Sequence, residues 1–301
     1  MPTPIYTLVP WGVWLAAFVL AFGVFGFFLD RLIGYEVETL RGGTTQSVKG
    51  WSADWLWGAG VSAGILLLGL SLWVLVRTFL PFWLALASLL AVAVLVVLVL
   101  PRWQAHRCRL HAPLPHGDEI LRLLRDWQLP VYAVRTYDDG GTTSLNGMFL
   151  PFAPHVAWVT GASASLTPRD LALLIRREYF FVARHLQWAV LAIVLAWLAV
   201  GLSAAWAIPA ETALQRALSL SAIMTTWCFT ALFVWPPLNR RWMHAADRSL
   251  LDVASLAEIA SLLRHIQESN LTDTTISGAK EQIFHPIPPL ERRIQKLTKK
   301  P

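Results

Sequence analysis

Five stretches of this sequence carry no charged side chain: residues 1–29, 55–76, 78–101, 186–210 and 217–239. A helix needs about 20 apolar residues to cross a hydrocarbon core of about 30 Å, and in lipid every backbone polar group must be satisfied within the segment. Each stretch meets that length. Five membrane spans are therefore predicted, over 11–28, 56–76, 81–100, 188–207 and 218–236. With 55% apolar and 15% charged residues, the composition excludes an ordinary soluble domain. Tryptophans 11, 14, 55, 57, 83, 103, 188, 206 and 235 fall near the span ends, where indole rings favour the headgroup layer.

The first apolar run has neither a basic leader nor a small-residue cleavage site before Asp30, so it is predicted to remain as an anchor. Lysine and arginine set the expected topology. Residues 102–184 hold ten of them and residues 240–301 another ten, while the hairpin tips hold Arg77 and Arg216. The positive-inside rule then places both large polar segments and residues 30–54 in the cytoplasm, with the N-terminus outside. The net charge of +6 is accounted for by this topology, so no nucleic-acid partner is expected. Cys228 lies inside a span and Cys108 beside one, so no disulfide is predicted.

Four regions follow: a three-span membrane region over 1–101, a first polar segment over 102–187, a two-span hairpin over 188–236, and a second polar segment with a basic tail over 237–301. In the first polar segment, 118–129 has helical spacing and is stopped by Pro130. Residues 131–138 and 155–161 read as strands, with a turn at "DGGTT". Thr167, Pro168 and Asp170 then form an N-cap, a first-turn proline and a capping pattern, so a helix is predicted from 168 running or bending into the fourth span. Beyond the fifth span, 240–267 reads as one long amphipathic helix, and 268–282 is polar.

The order of these elements resembles the membrane zinc metallopeptidases typified by HtpX and the CAAX prenyl proteases. The likeness rests on four motifs. Asn146-Gly147-Met148 precedes a strand ending Val159-Thr160-Gly161; the helix places Arg177-Glu178-Tyr179-Phe180-Phe181 where that family has H-E-x-x-H. After two spans, Met243-His244-Ala245-Ala246-Asp247 stands where the family has E-x-x-A-D, and His285-Pro286 followed by Arg293, Ile294 and Leu297 matches its tail. The resemblance runs from about 118 to 298. It implies a polytopic α-helical membrane protein, of the bacterial inner membrane, with a small α+β metallopeptidase-like domain on the cytoplasmic side. By the same resemblance Asn146, Asp247, His285, Pro286 and Arg293 are structural motif residues.

A catalytic zinc takes three nitrogen or oxygen ligands and keeps a fourth position for water. The three ligand positions that the resemblance implies are all altered. Arg177 is protonated and has no lone pair, Phe181 has no ligand atom, and Met243 offers a soft thioether. Glu178, the general-base position, remains, but without metal its water keeps a pKa near that of bulk water. No catalytic residue is expected to function, and no zinc or other cofactor is expected. Arg177 either pairs with Glu178 or another carboxylate, or points to solvent or lipid headgroups; Phe181 and Met243 would fill the emptied space.

Two other metal sites merit consideration. Glu178, His185 and His244 would have to share one ion, yet positions i and i+7 of a helix lie roughly 10 Å apart along its axis. His106, Cys108, His111 and His116 form a short tract, but their spacing fits no standard zinc pattern. The expected function is thus a membrane pseudopeptidase that binds other membrane proteins, as a scaffold, a regulator or an accessory subunit, with an active paralogue or other subunits as partners alongside the bilayer. By the resemblance, the strand with His155, Val156, Ala157, Trp158 and Val159 lines the peptide cleft and would serve as an exposed edge for a partner segment. The alternatives are a peptidase with a rebuilt metal site, and a transporter or channel component. Intramembrane ionisable residues, the usual mark of a transport pathway, occur only at the hairpin tips.

Overall fold

A computed structural model describes residues 21, 23–40, 42, 44–107, 114–137, 144–150, 153–270 and 287–298. After a π-helical turn at Asp30–Tyr35 and a short helix α1 (Glu36–Leu40), the long helices are α2 (Val48–Phe79), α3 (Phe82–Arg107), α6 (Leu186–Ala207) and α7 (Ala213–Ser249). These four contain stretches long and apolar enough to cross a membrane. They coincide with four of the five predicted spans; most of the first, 11–28, lies outside the described residues. Leu68, Leu95 and Phe233 are each about 60% exposed on these helices. Apolar area on that scale is costly in water and is what a lipid-facing surface presents. The chain is an integral membrane protein.

The residues divide into two compact units, one containing Gln46–Val97 and Leu191–Phe229 and the other Leu98–Val190 and Thr230–Pro301. In the first, Leu70 and Trp73 of α2 pack with Ala205 of α6 and Leu220 of α7. Arg77 closes this core. Its guanidinium donates to the carbonyls of Ala205 and Trp206 at 3.1 Å each, to that of Ile208, and to Ser219 Oγ at 3.1 Å. These are carbonyls at the C-terminal end of α6, which lack intrahelical donors, so a cation there satisfies both the hydrogen bonds and the helix dipole. The Trp73 and Trp206 rings flank the guanidinium at 5.6 and 5.5 Å. A hairpin-tip charge is thereby a helix cap.

Close approach of α6 to α7 depends on Gly201. A Cβ there would lie 2.8 Å from Trp227 Cδ1 and 3.0 Å from Met224 Sδ. Trp227 stacks on Trp197 with centroids 4.5 Å apart and donates from Nε1 to the Trp197 carbonyl at 2.9 Å. Small residues at such crossings let membrane helices pack tightly. Gly201→Leu is expected to destabilise the protein by about 1–3 kcal/mol through overpacking. Thermal unfolding in detergent micelles, followed by tryptophan fluorescence, checks it; an unchanged midpoint would refute the close-packing role.

The second unit holds α4 (Gly117–Asp126), strands β1 (Ala133–Tyr137), β2 (Gly147–Leu150) and β3 (Ala153–Thr160), then α5 (Pro168–Ala183), α8 (Leu256–Ser269) and α9 (Leu290–Thr298). The sheet order is β1-β3-β2, with β1 parallel and β2 antiparallel to β3. The strand with His155, Val156, Ala157, Trp158 and Val159 is therefore central, not an edge. Both its sides are occupied, with Val156 to Val159 aligned to Ala133 to Thr136 and Ala157 to Val159 aligned to Phe149 to Gly147. Burial explains this: Ala157, Trp158 and Val159 are consecutive buried residues, a run typical of a strand covered on both faces, whereas a half-exposed strand alternates. His155, at the exposed start, donates from Nδ1 to the Pro130 carbonyl at 2.8 Å and stacks on Tyr132.

The core lies between the sheet, α4, α5 and α8. Ile120 and Leu124, Phe149 and Val159, Leu171, Leu174 and Ile175, and Ile259, Leu262 and Leu263 make one buried cluster. Two further expectations change. The predicted single helix over 240–267 is two: α7 runs unbroken through Pro236 and Pro237 to Ser249, and α8 starts afresh at Leu256. The break is written in Ser255 and Glu258, whose side chains and backbone amides form a reciprocal capping box. Between α5 and α6 the chain turns at Arg184 and His185, the latter at φ +53°.

Candidate functional site

α5 begins as its sequence dictates. Thr167 Oγ1 accepts the Asp170 amide at 3.1 Å and donates to the Asp170 carboxylate at 2.8 Å, with Pro168 in the first turn. Leu171 to Ile175 are buried in the core. One turn later the next position on this inner side is Arg177, 5% exposed. A cation driven into the interior by helix phase needs partners of opposite charge.

α7 supplies them. Met243 and Asp247 are four residues apart and so share a helix face. Arg177 Nε donates to Asp247 Oδ1 at 2.9 Å, Nη1 to Glu178 Oε1 at 2.8 Å, and Nη2 to Met243 Sδ at 3.3 Å. From α9, Arg293 grips the same carboxylate in a two-pronged pair, Nε to Oδ2 and Nη2 to Oδ1, both at 2.7 Å. Asp247, whose side chain is 1% exposed, thus accepts three charge-assisted bonds. Two guanidinium groups and two carboxylates make the cluster neutral overall.

The electrostatics follow from this enclosure. Burial works against the Arg177 charge, but Glu178 and Asp247 more than offset it and hold the guanidinium above its ordinary range. Burial pushes the Glu178 carboxyl up; Arg177 pulls it back, and the nearby Asp247 charge adds to the rise. Burial and repulsion from Arg177 push Arg293 down against the attraction of Asp247. Arginine remains protonated regardless.

The structure brings Arg177, Glu178, Met243, Asp247 and Arg293 together. Of the two alternatives for Arg177, pairing with carboxylates is the one adopted. Phe181 is half-buried and meets Phe180 edge-on at 6.0 Å. Asn146 lies at the start of β2, its amide and carbonyl held by Thr160 and Ser163 and its Oδ1 by the Gly147 amide. Gly147 abuts the site: a Cβ there would lie 3.4 Å from Glu178 Cγ. The strand β2, which sequence reading overlooked, therefore borders Glu178. Its four residues are too few for periodicity to reveal.

The donor set does not suit a catalytic zinc. Arg177 and Phe181 offer no ligand, and the Met243 sulfur already receives an arginine N–H. His185 is exposed in the linker after α5, and His244 lines a cavity whose wall also includes Arg293. His116 precedes α4 with φ +61°. Cys108, His111, His285 and Pro286 lie outside the described residues, as does the side chain of His106. Among the described residues no three His, Cys, Asp or Glu side chains converge.

No protein-family profile matches the sequence, and no curated protein matches it. Among solved structures the chain is similar to S. mikatae Ste24p, with a TM-score of 0.77 over 98% of this chain and 76% of that one. The identity is 15%, so the likeness is one of fold. The fold shared with Ste24p is a polytopic α-helical membrane architecture with a small α+β domain.

Proposed function

We propose that this protein is a non-catalytic membrane metallopeptidase homologue that binds and positions other membrane proteins. One observation carries the reading: Arg177, at the first ligand position of the motif, bonds simultaneously to the general-base position Glu178, the third-ligand position Met243, and Asp247. A tethered guanidinium thus neutralises the carboxylates that would otherwise flank a metal. It cannot lower the pKa of a water as a zinc ion does.

The partner segment is a membrane-protein chain in extended form, added by backbone hydrogen bonds. The strand suited to receive it is β2, since β3 is paired on both sides. No strand covers the outer edge of β2 among the described residues, and Gly147 places that strand beside Glu178. A subunit of a larger complex or an active paralogue would fill this role.

Arg177→His combined with Phe181→His tests the reading by restoring the two histidines of the motif. The double variant is expected to show no zinc-dependent cleavage of membrane-protein substrates, because Met243 still leaves the third ligand absent. Metal analysis of the purified wild-type protein is expected to give far less than one zinc per chain. Stoichiometric zinc, or proteolysis by either protein, would defeat the proposal. Co-purification in mild detergent is expected to retain a second membrane protein.

A further inference from the structure

A cavity of about 810 Å³ lies along α7 and reaches Arg293 of the Arg177 cluster. It is in the size range of small-molecule sites, about 300–1,000 Å³. The end of α5, the start of α6, α7 with the turn after it, and α9 build it. Its lining includes Arg184, Arg241, Arg248 and Lys296, with Phe180, Leu186 and Trp242 as apolar wall.

Among the described residues the charge there is unbalanced. Arg293 also reaches the lining, but its guanidinium is committed to Asp247. Asp252, the carboxylate of the lining, pairs with Arg176 at 3.6 Å. Arg248 donates to the Lys296 carbonyl at 3.2 Å, and Arg184 lies over the Phe180 ring at 5.8 Å. Neither contact neutralises a charge. Four cations thus line one cavity, and their summed field favours an anion there.

The sequence fixes the level of this cavity relative to the bilayer. Arg184 comes two residues before the uncharged run that starts at Leu186, and Arg241 comes two residues after the run that ends at Asn239. Basic residues and tryptophan at such run ends sit at the headgroup layer. We infer that this cavity binds a phosphate group, held by Arg184, Arg241, Arg248 and Lys296, with the headgroup of an anionic phospholipid as its source. Arginine forks match phosphate oxygens in pairs, and the apolar wall takes the glycerol and the first acyl carbons. The inference does not depend on the scaffold reading.

The full-length protein in detergent micelles is titrated with short-chain phosphatidic acid, with phosphatidylcholine of the same chain length, and with inorganic phosphate. Binding is read by tryptophan fluorescence and by native mass spectrometry. Saturable binding of phosphatidic acid is expected, with the apparent Kd raised at least tenfold by Arg241→Gln/Arg248→Gln and by Arg184→Gln/Lys296→Gln. The surface pair Arg122→Gln/Arg264→Gln, which removes the same charge elsewhere, is expected to leave it unchanged. Saturation by inorganic phosphate with the same dependence on the variants would keep the site and assign it to free phosphate. Equal binding of phosphatidylcholine, or phosphatidic acid binding that ignores the cavity variants while they remain folded, overturns the inference.

Discussion

Replacing Arg177 with methionine is expected to destabilise the protein by about 3–5 kcal/mol, the usual consequence of deleting one partner from a buried ion pair. Methionine matches the length of the arginine stem, so the loss is mainly electrostatic. Glu178 and Asp247 would be left facing each other with Arg293 as the remaining cation, and Arg293 is already bonded to Asp247. The unbalanced charge settles on Glu178, which burial already pushes toward its neutral form. Arg177→Met/Glu178→Gln should therefore recover part of the lost stability. Thermal unfolding in detergent would show a fall of roughly 6 °C or more for the single variant and a smaller one for the double. Equal falls would mean that Glu178 is not the partner that suffers, and an unchanged single variant would show that Arg177 contributes nothing to the fold.

How much of this was legible beforehand depended on the kind of signal. Spans were readable because one property, the absence of charge over a sufficient length, is imposed by lipid on every residue. The start of α5 was readable because Thr167, Pro168 and Asp170 act locally. The convergence of Arg177, the Met243–Asp247 pair and Arg293 was legible only through motif order, because they come from three helices far apart in the chain. Nothing in residues 243–247 alone shows that Asp247 faces Arg293 across 46 positions. The strand pairing failed for a related reason. A buried run such as Ala157-Trp158-Val159 says that both faces are covered but not which strands flank it. Ser255 and Glu258 show the opposite case, a local capping box that does mark a helix start, hidden within a longer stretch of helical periodicity.

The largest single effect is expected at Asp247. Asparagine is nearly isosteric, yet it carries an N–H₂ where Asp247 has a second acceptor oxygen. Arg177 Nε and Arg293 Nη2 both donate to Oδ1 while Arg293 Nε donates to Oδ2, so either orientation of the amide sets donor against donor. The substitution also leaves two buried guanidinium groups with Glu178 as their one remaining carboxylate in the cluster. Arg177→Met removes one charge and one set of donors; Asp247→Asn removes the group that joins α5, α7 and α9. A loss at the upper end of about 3–5 kcal/mol, or failure to accumulate in the membrane, is expected. Arg293→Met in the same background should restore some stability, since it removes the cation left without a partner. Amide hydrogen exchange offers the structural check: in Asp247→Asn, protection should fall first in α9 and in the 243–249 turn of α7. If α9 stays protected while the protein as a whole loses stability, Asp247 does not clamp the two helices, and the role assigned to Arg293 fails with it.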